Sequence, residues 1–443
     1  MNTYFFKQAL LIDGWHDNIR VVINGDGCIS EVLKHSQQQQ NDTVLDCVIP
    51  SLPNCHSHVF QRTMAGLTEY KTSENDSFWS WRDLMYKYAN QISADQLYHI
   101  ACFTYSEMLA AGFSSVCEFH YIHRDLNEIN NTENMSLAII KAAHDVGIRL
   151  TLLPVLYTQA HIDGSPLNQL QQRFKLSSTE YINLYHSLEK QLYPEQNMGL
   201  CFHSLRAVSI TQMKQVLKEI NNDQPIHIHI AEQQAEIDQI KKYTGKRPIE
   251  LLYQHFDVNK NWCLIHATHL TKNETQLIAQ SQATVGLCPL TEANLGDGVF
   301  PLSDFMKHRG NFAIGSDSNV LINPFQEIQM LEYSQRLIQQ KRVIASSKKI
   351  QNVASYLWNK LVSGGAQASQ LNTLGIQSRQ VANWISLDKQ HPILTHLNAT
   401  EILDSFVFAH NNLNFETYIK GQIFKNISAT IQQNYKKTLN SLR

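Results

Sequence analysis

Eight short apolar runs punctuate residues 48–317 of this 443-residue chain: VIPSLPNCH (48–56), SSVCEFHY (114–121), RLTLLPVLY (149–157), MGLCFH (198–203), PIHIHIAE (225–232), NWCLIHA (261–267), ATVGLCP (283–289) and NFAIGSD (311–317). Each has the length of a buried strand, and helix-patterned segments separate them. ADQLYHIACFTYSEMLAA, for instance, has Ser93 in front as an N-cap and Gly112 behind as a stop. Eight buried strands alternating with helices predict an α/β fold, a (β/α)8 TIM-type barrel. The flanks have another texture. Residues 4–12, 19–24 and 27–33 read as short strands punctuated by Asp13-Gly14 and Gly25-Asp26-Gly27, and SQQQQNDT (36–43) reads as a loop. Beyond residue 376, VANWISL (381–387), SFVFA (405–409) and ETYIKGQIF (416–424) read as strands again. The two ends are expected to join in one small β-sandwich domain, dividing the chain as 1–47, 48–375 and 376–443. Two separate small domains are the alternative.

Charge narrows the class of partner. Lys+Arg 37 against Asp+Glu 39 leaves a net charge of -2, so no basic excess points to nucleic acid. The eight cysteines form no C-x-x-C pair, and most lie inside apolar runs. They read as buried thiols of a reducing compartment, not as a disulfide framework. No stretch approaches the roughly 18 apolar residues of a membrane span, and MNTYFFKQALLIDGW lacks the basic start and small-residue cleavage site of a secretory signal. A cytoplasmic protein is expected. As with many barrels, a homodimer is expected too.

Histidine is the unusual count, at 20. His56-Ser57-His58 closes the first barrel run, and residues two apart on a strand share a face, so two imidazoles can converge on one ion. His227, His229 and Glu232 close the fifth run, His266 the sixth, with His269 just beyond, and Asp317 the eighth. The C-terminal rim is where barrels of this kind carry their chemistry. His229 lies nearer the rim and reads as the ligand, and His227 as a deeper core histidine. His266 is preferred over His269. Asp317 also reads as a helix N-cap, a role that Ser318 or Asn319 fills equally well. Imidazoles plus a carboxylate suit a borderline metal, Zn2+ first, with iron or manganese left open.

The combination P-x-x-P-N-C-H-S-H, H-I-A-E, H-A-T-H and G-S-D-S resembles the amidohydrolase superfamily in its mononuclear deaminase branch. The resemblance is sharpest to one member family, the formimidoylglutamate deiminases of histidine degradation. LPNCHSHVFQRTMAGL (52–67), FWSWRDLMYKYA (78–89), CEFHYIH (117–123), HSLRAVS (203–209), GLCPLTEANLGDGVFPL (286–302) and GSDSNVLINPFQEIQMLEYSQRL (315–337) carry it. The resemblance implies one zinc held by His56, His58, His229 and Asp317. It also implies proton transfer by Glu232 and His266, and contact of Gln61, Arg82, Tyr121, His203 and Arg206 with the glutamate part of N-formimino-L-glutamate. No lysine ends the third or fourth run, which agrees with a single metal. Two departures stand out: Asn319 occupies a place where some relatives have histidine, and the tail motif A-D-x-x-x-L-D is written here Ala382-Asn383-Trp384-Ile385-Ser386-Leu387-Asp388.

The residues also speak for themselves. A planar guanidinium donates two parallel hydrogen bonds to a carboxylate, so Arg82 and Arg206 suit a substrate with two such groups. Trp79 and Trp81 flank Arg82 and read as an apolar lid wall or as core. The competing readings are a deaminase of a heterocycle or nucleoside, guanine or S-adenosylhomocysteine in type, and a barrel that no longer catalyses and serves as a scaffold. The arginine pair speaks against the first. The complete set His56, His58, His229, His266, Asp317 and Glu232 speaks against the second.

Overall fold

The computed structural model describes residues 2–70, 78–221, 223–409 and 413–442, with the side chains of 78–80 excepted. Four strands open the chain: β1 (Asn2–Leu11), β2 (Gly14–Ile23), β3 (Ile29–Leu33) and β4 (Thr43–Pro50). The barrel follows with β5 (Leu52–Ser57), β6 (Phe113–His120), β7 (Arg149–Leu156), β8 (Asn197–Met198), β9 (Leu200–Ser204), β10 (Ile226–Ile230), β11 (Trp262–His266), β12 (Thr284–Leu287) and β13 (Asn311–Ile314). Three more strands come late: β14 (Trp384–Leu387), β15 (Phe415–Ile419) and β16 (Gln422–Ile423).

The strands from β5 to β13 pair in parallel in the order β13-β12-β11-β10-β9-β7-β6-β5, with two-residue β8 beside β7. All eight apolar runs read from the sequence are strands of this ring. Their residues are buried on both faces, as parallel strands under helices must be. The ring meets itself at one parallel bridge between Ser57 and Asp317. There Asp317 N donates to His56 O (3.0 Å) and His58 N donates to Asp317 O (2.9 Å). Gly315 permits this approach, since a Cβ there would come within 2.7 Å of the His56 carbonyl oxygen. The helix Ala94–Ala111 is capped as its sequence predicts: Ser93 and Gln96 form a reciprocal box and Gly112 takes the left-handed turn at φ 102°.

The chain ends share one seven-stranded sheet, ordered β16-β15-β14-β4-β1-β2-β3, in which β14 pairs antiparallel with β4. The two termini therefore join as expected, but in one seven-stranded sheet and not in the two layers of the β-sandwich expected from the sequence. We propose the division 1–47, 48–375 and 376–443 for these units, with β4 running across the first boundary into β5. A second expectation fails: SFVFA (405–409) is not a strand but part of the helix Ala399–Phe408, whose N-cap Asn398 and N3 residue Glu401 close a capping box. That box lies in the sequence as Asn398-Ala399-Thr400-Glu401, and it outweighs the β-type composition of the five residues that follow. All eight cysteines are free, and all but half-buried Cys28 are buried. No helix among the described residues is long and apolar enough to cross a membrane.

Candidate metal centre and acidic-substrate cavity

The side chains brought together at the C-terminal end of the ring are His56, His58, His229, His266 and Asp317. Nε2 of His56 lies 3.0 Å from Nε2 of His229. Oδ1 of Asp317 lies 3.5 Å from Nε2 of His56 and 3.4 Å from Nε2 of His58. Oδ2 of Asp317 is 3.8 Å from Nε2 of His266. Donor atoms of His56, His58 and His229 form one set within 4.8 Å of one another, and those of His56, His266 and Asp317 another.

The backbone bends to aim these groups. Ala231 (φ 52°), His266 (φ 68°), Ala267 (φ 47°), Asp317 (φ 46°) and Asn319 (φ 54°) all occupy the left-handed region at the ends of barrel strands or just beyond. Such positions cost about 1–3 kcal/mol each for residues with a side chain. Asn319 braces the last of these turns: its Nδ2 lies 3.1 Å from Ser57 Oγ, His58 O and Asp317 O, while its Oδ1 accepts from Ser316 Oγ (2.6 Å). The departure at this position thus falls on a brace beside the donor set.

The donor chemistry fits a cation. His58 Nδ1 donates to Phe119 O (2.9 Å) and His229 Nδ1 to His203 O (3.1 Å), which leaves both Nε2 lone pairs facing inward. Burial holds the pKa of His56, His58 and His229 below the ordinary histidine value, so the imidazoles are neutral. Burial would also neutralise Asp317, but the hydrogen bond of His56 and the charge of His266 keep its carboxyl below the usual range. Neutral imidazole nitrogens 3.0 Å apart beside a carboxylate are what a divalent ion requires of its ligands.

His266 differs. Its Nδ1 lies 3.3 Å from Glu292 Oε1 and its Nε2 lies 3.8 Å from Glu232 Oε1. Burial opposes its charge, yet Glu232, Glu292 and Asp317 together raise its pKa. Burial likewise raises Glu232, partly offset by His266. An acid and a base are thus held against one another at the edge of the donor set. His227 is the core histidine it was read as, donating to Ala368 O (2.8 Å) away from the centre. His269 is half-buried and bonded to Asp297 O (2.8 Å).

A cavity opens over the donors. Gln61, Arg82, Tyr121, His203, Arg206, Glu232, His266 and Asp317 all line it, together with His58 and His229. Gln61 donates to the Tyr121 hydroxyl (3.0 Å), and Arg206 is anchored to Ala160 O (2.8 Å). Trp81 also faces the cavity, which places it in the wall; the side chain of Trp79 lies outside the described residues. Sequence reasoning missed Tyr86, Tyr157 and Glu236 in the same lining, and Glu292 behind His266. Glu292 lies in the quoted segment GLCPLTEANLGDGVFPL, but its spacing from His266 gives no hint of contact. Tyr86 lies four residues after Arg82, one helical turn onward, and that is the signal that could have found it.

Residues 47–422 match the model of the amidohydrolase family. The chain is 42% identical over 414 residues to a protein of Pseudomonas aeruginosa described as formimidoylglutamate deiminase, covering 92% of this chain and 91% of that one. It is 25% identical over 389 residues to a 5-methylthioadenosine/S-adenosylhomocysteine deaminase of Pyrococcus furiosus, covering 85% and 84% of the two chains. Among solved structures, an amidohydrolase from Brucella melitensis superposes with a TM-score of 0.94 over 100% of both chains at 36% identity. A zinc-bound adenosine deaminase from Xanthomonas campestris superposes with a TM-score of 0.81 over 100% of this chain and 98% of that one; at 18% identity it shares the fold.

Proposed function

This chain belongs to the amidohydrolase family, and from that premise we propose that it hydrolyses N-formimino-L-glutamate to N-formyl-L-glutamate and ammonia. It is a hydrolase acting on a non-peptide C–N bond, here of a linear amidine. The observation that carries the substrate is that one cavity joins a His/Asp donor cluster to two guanidinium groups, Arg82 and Arg206. Heterocycle deamination needs no such pair. The substrate's two carboxylates do.

In this reading one zinc ion per chain is held by His56, His58, His229 and Asp317. The ion supplies Lewis acidity that brings the pKa of water to about 7. Asp317 and His266 orient the attacking water, and Asp317, whose carboxyl stays ionised, takes its proton. Oxygen bonds to the formimino carbon as the C=N double bond becomes single, and Glu232 hands one proton to the imino nitrogen. The proton still on the new hydroxyl then passes through Glu232 to the same nitrogen, the C–N bond breaks, ammonia departs, and the carbon is left as a formyl carbonyl. The raised pKa of Glu232 suits it to holding a proton near neutrality. Arg82, Arg206, Gln61, Tyr121 and His203 hold the glutamate portion. A place in histidine degradation, a cytoplasmic location and a homodimeric state belong to the same proposal.

The test is ammonia release from N-formimino-L-glutamate against guanine and S-adenosylhomocysteine, with metal analysis of the same sample. Turnover confined to the first substrate, with one zinc per chain, is the expected result. Release from either purine compound in its place would sink the reading.

A further inference from the structure

The cavity wall also holds two tyrosines that no role above uses. The hydroxyls of Tyr86 and Tyr157 are 3.5 Å apart, both rings are buried, and both line the cavity. Behind them sits Gln171, itself 3% exposed, in the short helix Gln169–Phe174. Its amide orientation is fixed from outside. Asn168 N donates to Gln171 Oε1 (3.0 Å) while Gln171 N donates to Asn168 Oδ1 (3.2 Å), a reciprocal capping box. With Oε1 so occupied, Nε2 must face the tyrosines, and it donates to Tyr86 Oη (3.2 Å) and Tyr157 Oη (2.9 Å).

A phenolic oxygen that accepts on one side offers its own proton on the other. Gln171 therefore sets the polarity of both hydroxyls. A bond between them at 3.5 Å is weak and would use only one of their two protons. The remaining direction is the cavity, where Arg206 and Arg82 converge. The Arg82 guanidinium lies 5.5 Å from the Tyr86 ring centroid. Although burial would raise Tyr157, the charge of Arg206, hydrogen bonds with Tyr86 and Arg206, and the charge of Arg82 pull its pKa below the ordinary value. The positive field of the two arginines thus reaches the hydroxyl.

We propose that Tyr86 and Tyr157 are substrate-binding residues that donate to a carboxylate of the acidic substrate, and that Gln171 is the positioning residue that turns their hydroxyls toward it. This rests on the acidic substrate proposed above. A charge-assisted hydrogen bond from a neutral donor is worth enough to shift affinity by roughly tenfold or more.

The test is a double-mutant cycle between Q171M and the paired substitution Y86F/Y157F. Its readouts are kcat and KM for N-formimino-L-glutamate and calorimetric binding of glutarate as a non-reacting dicarboxylate. Q171M and Y86F/Y157F should each raise KM and the glutarate Kd by about tenfold or more with kcat within about threefold of the parent. Adding Q171M to Y86F/Y157F should then change little, since the glutamine acts through the two hydroxyls. The proposal is overturned if Y86F/Y157F leaves KM and glutarate binding unchanged. It is equally overturned if Q171M costs as much without the hydroxyls as with them, which marks a merely structural glutamine. Parent protein inert toward N-formimino-L-glutamate and blind to glutarate overturns the functional reading and this inference with it. Active parent protein with indifferent variants overturns this inference alone.

Discussion

In the sheet built from the chain ends, Trp384 packs among Tyr4, Phe6 and Tyr418 with ring centroids 4.9, 5.1 and 5.6 Å away. At the barrel mouth the equally buried side chains are imidazoles and carboxylates, on a backbone driven into left-handed turns. The sheet buries apolar surface in regular strands, which is how a fold gains stability. The mouth accumulates desolvated polar groups, some without a partner: His56 Nδ1, Gln61 Oε1 and Glu236 Oε1 have no hydrogen-bond partner. Such groups cost stability unless something arrives to satisfy them. The contrast teaches where to expect a loss of function without loss of fold, and where the reverse.

The most severe test of that contrast is D317A. It should abolish metal retention and drop ammonia release to background, while the near-ultraviolet circular dichroism of the aromatic cluster stays. Collapse of the aromatic signal along with the metal would show that the two regions are not separable. E232Q comes next, with zinc content unchanged and kcat lower by about 10²–10⁴-fold. Near-normal turnover would remove Glu232 from proton transfer.

W384A probes the other region. Deleting a buried aromatic of this size should cost about 3–5 kcal/mol in denaturant unfolding, with kcat per folded molecule preserved below the transition. R206M should raise KM about tenfold or more, as loss of a charge-assisted carboxylate contact does, without altering zinc content or unfolding midpoint. A pH-dependent test concerns Glu118, whose carboxyl lies buried, accepting from Val59 N (2.8 Å), and is pushed up to about 8 by burial. Because the folded state binds this proton more tightly than the unfolded chain, its contribution is full below about pH 4.5 and is lost as pH rises through about 8. E118Q should therefore flatten the decline of melting temperature across that interval. An unchanged slope would mean that this carboxyl does not titrate with folding.

The donor set was legible because it lies at strand ends, where period-two alternation and the rim rule act together on residues far apart in sequence. His56, His58, His229, His266 and Asp317 each close an apolar run, so finding the runs located the cluster. Gln171 and Glu292 were not legible, because their meaning is a contact, whereas Tyr157 closes the third apolar run and the rim rule that found the donors reaches it too. Gln171 orients two hydroxyls only because a capping box turns its amide, and the hydroxyls belong to residues 85 positions and 14 positions away in the chain. The helix Ala399–Phe408 shows a different limit: a cap written in plain residues decides the element, while the β-rich texture of SFVFA points to a strand.

The first and last staves of the cask meet through the amide and carbonyl groups of His56, His58 and Asp317, three of the residues proposed to grip the ion. Loading would then rivet the joint that holds the ring shut. Chelation should loosen this one joint before any other, so hydrogen exchange at the amides of His58 and Asp317 is the place to watch a barrel begin to unroll.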